Sequence, residues 1–74
     1  MTPDQVAAAM AELLELDEVA LDDNFFEIGG NSFTALELAT LLEQRHGIRP
    51  AFADVVRTAT PQALADLLQA GPTA

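Results

Sequence analysis

The sequence of 74 residues contains no cysteine and only one histidine. Without cysteine the chain has neither a disulfide framework nor a thiolate metal site, and one histidine does not supply a zinc site of any usual kind. Basic residues are also scarce, because three Lys and Arg residues face 12 Asp and Glu residues, for a formal net charge of −9. Such a surface repels nucleic acid and anionic lipid and attracts proteins with basic patches. We therefore expect protein partners and no nucleic acid.

Long apolar runs are missing too, since none approaches the about 20 residues that a membrane helix needs. The first residues, Met1-Thr2-Pro3-Asp4, lack the basic region and the apolar stretch of a targeting signal. We predict no membrane partner and a cytoplasmic location. Half of the residues are apolar, which suits one small globular domain over residues 1–74. Because the chain begins with methionine and ends just beyond the last predicted helix, we expect a free-standing protein, although a domain excised from a longer chain would look the same. We also expect a monomer.

The first helix is predicted over about residues 3–16. Thr2-Pro3-Asp4-Gln5 combines a capping threonine, a proline suited to the first helical position and a glutamine that can complete a capping box. Apolar residues then recur at helical spacing, which predicts one buried stripe: Val6, Met10, Leu13 and Leu14.

The apolar residues of 17–31 show no sustained helical spacing, so this segment is predicted to form a long loop. A second helix follows over about residues 32–46, ended by Gly47. A short third helix is predicted over about 51–57, and Thr60-Pro61-Gln62 begins a fourth over about 61–70, stopped by Gly71-Pro72. The sequence thus predicts an all-α four-helix bundle with a long loop between its first two helices and a short third helix.

The long loop combines acidic and apolar residues. A connection of this length inside a small domain is usually functional or ordered by its own side chains, so we expect its apolar residues to pack across the helices: Val19, Leu21, Phe25, Phe26 and Ile28. Asp22-Asp23-Asn24 does not predict a calcium loop, because the required glycine and terminal glutamate are missing.

Ser32 follows two glycines and precedes a long periodic run. Glycine allows a sharp turn, so Ser32 is predicted to lie at the helix start, with an exposed hydroxyl near the positive end of the helix dipole. That position favours an anionic group such as a phosphate. Local chemistry leaves a second interpretation open, in which Ser32 is only the N-cap of the helix.

The second helix has two faces when residues are stepped by about 100°. The core face is predicted to hold Ala35, Leu38, Ala39, Leu42 and His46. The opposite face holds Phe33, Leu36, Thr40 and Gln44, flanked by Glu37 and Glu43. Large apolar residues on a solvent face indicate partner contact, unless the helix is buried on most sides or Phe33 folds back under the loop.

A hydrolytic role for Ser32 is disfavoured. A serine nucleophile needs a base within hydrogen-bond reach, whereas His46 is fourteen residues along the same predicted helix, about 21 Å away at 1.5 Å per residue. The surrounding residues also lack the second glycine of a nucleophile elbow.

Residues 23–32, Asp-Asn-Phe-Phe-Glu-Ile-Gly-Gly-Asn-Ser, together with the helix that follows, resemble the modification site of the acyl and peptidyl carrier proteins. The Phe-Phe-x-Ile-Gly-Gly-x-Ser form is most similar to the peptidyl carriers of nonribosomal peptide synthesis. The resemblance implies the four-helix carrier-protein bundle. It also implies that Ser32 bears a covalent 4′-phosphopantetheine arm, with Gly30 and Asn31 shaping the approach to it.

The same resemblance implies a non-catalytic role, in which the arm holds an aminoacyl, peptidyl or other acyl group as a thioester. The implied partners are a phosphopantetheinyl transferase, an adenylation or acyl-loading enzyme, and condensation, acyltransferase, tailoring or thioesterase enzymes. The implied docking residues are Phe33, Leu36, Glu37, Thr40, Asp22 and Asp23. Two alternatives stay open: a polyketide-type acyl carrier, and an acidic helical interaction module that bears no arm.

Overall fold

The computed structural model describes residues 1–69 and contains four helices and no strand within that range. In chain order they are α1 (Pro3–Leu14), α2 (Ser32–His46), α3 (Phe52–Thr58) and α4 (Pro61–Gln69). The predicted all-α architecture, with a long loop between the first two helices and a short third helix, is confirmed. None of these helices is long and apolar enough to cross a membrane.

The helix ends follow the capping chemistry in the sequence. Thr2 and Gln5 cap α1 reciprocally, since the Gln5 N–H donates to Thr2 Oγ1 and the Thr2 N–H donates to Gln5 Oε1, at 3.2 and 2.9 Å. Thr60 caps α4 by accepting the Ala63 N–H at 3.2 Å. Gly47 ends α2 with φ of 75°, a left-handed conformation that glycine adopts without a steric penalty.

Two helix boundaries differ from their predicted positions. Helix α1 ends at Leu14, because Glu15 takes a left-handed conformation with φ of 59° and the Leu16 N–H turns back to the Ala11 carbonyl at 2.8 Å. The apolar residues on both sides of Glu15 conceal this stop in the sequence. Helix α3 covers Phe52–Thr58, one residue later than predicted. The predicted last residue of the fourth helix, residue 70, and the Gly71-Pro72 stop lie outside the described residues.

The core draws side chains from all four helices. Helix α1 packs against α2 and α4, and α3 packs against both α2 and α4. The predicted core face of α2 is buried at Ala35, Leu38, Ala39 and Leu42, whereas His46 at the helix end is half-buried. The largest side chains with no exposed surface come from every helix and from the loop: Val6, Met10, Phe25, Leu38, Leu42, Val55 and Leu64.

The loop between α1 and α2 is ordered by its own apolar side chains, as its composition predicts. Phe25 is fully buried, and Leu21, Phe26 and Ile28 pack against the core. Backbone hydrogen bonds tie the loop to the junction of α3 and α4: the Phe25 N–H donates to the Ala59 carbonyl at 2.7 Å. The Gln62 N–H donates to the Leu21 carbonyl at 3.0 Å.

One bidentate ion pair links the ends of α1 and α2. The Arg45 guanidinium contacts both carboxylate oxygens of Glu12, at 2.6 and 2.7 Å. The hydrogen bond from Arg45 holds the pKa of the Glu12 carboxyl below its usual value of 4.5. Both side chains are about half exposed, so solvent screens the pair and its contribution to stability is small.

The ion pair predicts a pH-dependent stability difference for Glu12→Gln. A carboxyl whose pKa is lowered by folding stabilises the fold above its unfolded pKa, and this contribution disappears as the pH falls through the folded value. We therefore expect Glu12→Gln to be less stable than Glu15→Gln near pH 7, and the two variants to converge below pH 4.5.

Urea unfolding across this pH range measures the difference. Glu15→Gln is the matched control because it removes the same charge, and Glu15 forms no ion pair within residues 1–69. A constant difference between the two variants from neutral to acidic pH would contradict the assignment.

Candidate functional site

The turn before α2 depends on two adjacent glycines, each for a different reason. Gly29 has φ of 120°, a conformation that L side chains rarely adopt. Gly30 has no such backbone angle, but a Cβ there would lie 2.6 Å from the Phe25 carbonyl oxygen and would overlap the Phe25 ring. The Gly30 N–H also donates to that carbonyl at 2.9 Å. The absence of a side chain at Gly30 therefore lets the turn pack directly on the buried loop.

Helix α2 is capped by Asn31 and not by Ser32. The Thr34 N–H donates to Asn31 Oδ1 at 3.0 Å, and the Asn31 N–H donates to Thr34 Oγ1 at 2.7 Å. Asn31 has the extended backbone of an N-cap residue, and Ser32 is the first residue of the helix. The interpretation of Ser32 as the N-cap is therefore wrong, because the neighbouring asparagine takes that position.

Thr34 is a member of the site that the sequence analysis missed. Its signal was available, since a hydroxyl three residues after a capping residue is the spacing of a reciprocal cap.

The Ser32 side chain is exposed and makes no hydrogen bond with any group in residues 1–69. It lies at the positive end of a 15-residue helix whose first turn carries no acidic residue. A phosphate ester on this oxygen would meet a favourable dipole and no carboxylate in that turn. The geometry therefore fits a covalently attached phosphopantetheine, with Ser32 as its anchor and Gly30 and Asn31 as the backbone beside it.

Autonomous hydrolysis by Ser32 is not supported by the geometry. Ser32 and His46 are the first and last residues of α2, which places them about 21 Å apart at 1.5 Å per residue. Ser32 and His46 therefore do not form a catalytic pair.

Four predicted docking residues lie together on the outer face of α2. Phe33 is 70% exposed and Leu36 is 48% exposed, so Phe33 does not fold back under the loop. Glu37 is exposed and Thr40 half-buried. These residues line one open groove of about 420 Å³ along α2 and the end of α1. Gln44, which was predicted on the same face, also lines it, together with three residues that were not predicted there: Glu12, Leu13 and Leu41.

Asp22 and Asp23 do not line this groove. Asp22 is exposed, whereas Asp23 is half-buried and its carboxylate accepts the Ala20 N–H at 2.9 Å. The next residue, Asn24, accepts N–H groups of Phe26 and Glu27 at 2.9 and 3.2 Å. The oxygens of Asp23 and Asn24 are thus used to shape turns of the loop.

A small helical bundle that presents one unpaired serine hydroxyl at a helix start, beside an exposed apolar face, has the design of a carrier domain. Comparison with known proteins agrees. Residues 4–68 match the phosphopantetheine attachment site family. The chain belongs to this family. It is a carrier domain of the kind found in nonribosomal peptide synthetases, and domains of this family bind 4′-phosphopantetheine.

Individual relatives are similar over most of the chain. The probable non-canonical nonribosomal peptide synthetase CymA of Salinispora arenicola is 38% identical over 66 residues, which cover 89% of this chain and 1% of that protein. The type-II acyl-carrier-protein BlmI of Streptomyces verticillus, involved in bleomycin biosynthesis, has a TM-score of 0.87 at 27% identity, covering 96% of this chain and 86% of BlmI. The McyG A-PCP structure with phenylalanyl-adenylate has a TM-score of 0.81 at 34% identity, covering 90% of this chain and 10% of that one.

The close approach of Gly30 to Phe25 predicts that Gly30→Ala is destabilising. The added methyl group must displace the Phe25 ring or backbone, and overpacking of this kind lowers the free energy of unfolding by about 1–3 kcal/mol. Urea unfolding of the variant measures the loss.

A double-mutant cycle with Phe25→Leu tests the cause. A smaller side chain at residue 25 relieves part of the overlap, so we expect the two substitutions to couple by about 0.5 kcal/mol or more. Strict additivity would mean that the destabilisation does not arise from the Phe25 ring.

Proposed function

We propose that Ser32 is the residue to which the phosphopantetheine arm is attached. The observation that carries this proposal is the free, exposed hydroxyl at the first position of α2, directly after a cap that uses Asn31 and Thr34. Attachment forms a bond between Ser32 Oγ and the phosphorus of the phosphopantetheine in coenzyme A. The phosphoanhydride bond breaks, adenosine 3′,5′-bisphosphate leaves, and the hydroxyl proton passes to a base of the transferase.

When attached at Ser32, the arm would supply a terminal thiol that can carry an aminoacyl, peptidyl or other acyl group as a thioester. The chain's own residues supply the anchor, keep its oxygen in solvent and present a docking face. We place this carriage in the cytoplasm, where the transferase and coenzyme A meet the carrier. Catalysis is assigned to the partner enzymes, because the single histidine of the chain, His46, lies at the opposite end of α2 from Ser32.

The outer face of α2 is proposed as the surface that these partners contact. Its exposed apolar residues, Phe33 and Leu36, lie beside the acidic Glu37. The basic residues near it are already engaged: Arg45 pairs with Glu12, and Arg49 contacts Glu43 and the Thr40 hydroxyl. The face therefore suits a partner that offers apolar side chains flanked by Arg or Lys, with a steering contribution that weakens as salt rises.

The proposed partners are a phosphopantetheinyl transferase, an adenylation or other acyl-loading enzyme, and the condensation, acyltransferase, tailoring or thioesterase enzymes that take the cargo on. The solved A-PCP unit with phenylalanyl-adenylate supports an adenylation partner. Asp22, which is exposed in the loop, is proposed as a peripheral contact, and Asp23 as a weaker one because its carboxylate is held by the Ala20 N–H.

Ser32→Ala is expected to abolish arm attachment and leave the fold unchanged. Because Asn31 is the cap, alanine at residue 32 removes no capping hydrogen bond, and the free energy of unfolding should stay within about 0.5 kcal/mol of the wild type. Intact mass after incubation with coenzyme A and a broad-specificity phosphopantetheinyl transferase should show one added phosphopantetheine in the wild type alone.

Two results would contradict the proposal. If Ser32→Ala gained one phosphopantetheine as the wild type does, the arm would be attached to another residue. An unmodified wild type of normal helicity would favour an acidic interaction module without an arm.

Leu36→Asp is expected to slow arm attachment while the helices remain intact. A charge in the middle of an apolar contact removes a central interaction, so kcat/KM for the transferase should fall by about tenfold or more, equivalent to about 1.4 kcal/mol. Leu16→Asp is the matched control, because Leu16 is 41% exposed and lies outside the α2 groove.

Steady-state kinetics of the transferase measure kcat/KM for arm attachment, and far-UV circular dichroism measures the helix content of each variant. An unchanged kcat/KM for Leu36→Asp, or an equal decrease for Leu16→Asp, would remove the outer face of α2 from the interface.

A further inference from the structure

Two adjacent residues at the start of α2 are each able to cap it. Asn31 and Ser32 are both strongly preferred at N-cap positions, and a helix could begin at either with a shift of one residue. In the structure Asn31 is the cap, and its Oδ1 accepts the Thr34 N–H at 3.0 Å. Ser32 has helical backbone and a free hydroxyl.

The shifted start would change the state of the Ser32 oxygen. As an N-cap, Ser32 would take an extended backbone, and its Oγ would accept an N–H two or three residues further on, from Thr34 or Ala35. The atom to which the arm must be joined would then be held in an intramolecular hydrogen bond. The two starts therefore differ in whether the proposed anchor is available.

Thr34 stabilises only the observed start. Its hydroxyl accepts the Asn31 N–H at 2.7 Å and donates to the Asn31 carbonyl at 3.0 Å. If Ser32 were the cap, the third helical residue would be Ala35, whose methyl group cannot make the reciprocal bond that a capping box requires. With Asn31 as the cap, both the Asn31 N–H and the Thr34 N–H have acceptors. With Ser32 as the cap, the Ser32 N–H would have no side-chain acceptor at Ala35.

We propose that Asn31 and Thr34 are positioning residues that fix the register of the first turn of α2 and so keep the Ser32 hydroxyl free to receive the arm. This inference rests on the proposed attachment at Ser32 and adds Thr34 to the residues on which attachment depends. Neither residue needs to touch the reacting phosphorus. Their effect is exerted through the conformation and hydrogen bonding of Ser32.

The test is the double variant Asn31→Ala/Thr34→Ala, compared with Thr2→Ala/Gln5→Ala. The control removes the reciprocal cap of α1, which has the same arrangement of hydrogen bonds. Each double variant loses one reciprocal cap. Because Ser32 can take over as the cap of α2, we expect Asn31→Ala/Thr34→Ala to lose no more stability than the α1 control. Thr34→Ser serves as the conservative variant because it keeps the hydroxyl.

Two readouts separate positioning from general destabilisation. The Cα and Cβ chemical shifts of Ser32 report its backbone conformation, and they should move from helical to extended values in Asn31→Ala/Thr34→Ala alone. In the transferase assay with coenzyme A, kcat should fall about threefold to tenfold, the factor that corresponds to one net hydrogen bond. KM should stay within twofold, and both Thr34→Ser and the α1 control should keep the wild-type kcat.

The inference is overturned if Ser32 keeps helical shifts in Asn31→Ala/Thr34→Ala, or if the α1 control loses as much kcat. Failure of the proposed function looks different: the wild type itself would gain no phosphopantetheine. In that case the chemical shifts of Ser32 still decide whether Asn31 and Thr34 set the register.

Discussion

The burial of Phe25 is the constraint on which the rest of the site depends. Its ring has no exposed surface and meets the Phe26 ring edge-on at a centroid distance of 5.3 Å. Burial of one such side chain stabilises a fold by roughly 1.5–3 kcal/mol. Its N–H bonds to Ala59, at the junction of α3 and α4, and its carbonyl accepts the N–H of Gly30. One residue thus connects the core, the short third helix and the turn before α2.

The four helices and the long loop could be predicted from the sequence, whereas the cap of α2 was missed and the contact between Gly30 and Phe25 could not be predicted. Capping pairs such as Thr2 with Gln5, and the apolar spacing on α2 that buries Leu38 and Leu42, are local signals and could be read directly. The end of α1 could not, because Glu15 takes a left-handed conformation that its residue type does not favour. The fit of Gly30 against Phe25 was hidden because it depends on how the loop folds back on the turn.

The cap of α2 shows why a correct motif can still yield a wrong local structure. Asn31 and Ser32 are equally good capping residues when each is considered alone. The hydroxyl of Thr34 favours Asn31 as the cap, because Thr34 lies three residues after Asn31 and accepts its N–H. The pattern of glycines and apolar residues was enough to predict an exposed serine at the helix start. Whether that serine is the cap or the first helical residue depends on the reciprocal hydrogen bonds between Asn31 and Thr34.

Ser32 is held in place entirely by its neighbours, and this arrangement suits an anchor. The turn on one side is fixed by the contact of Gly30 with Phe25, and the first helical turn on the other side is fixed by Asn31 with Thr34. No part of either constraint uses the serine hydroxyl. An oxygen that contributes nothing to folding can be esterified without loss of stability, so the domain can keep one structure before and after the arm is attached. The exposed Phe33 and Leu36 follow directly on the same helix, so a partner bound at the proposed docking face would lie next to the proposed anchor.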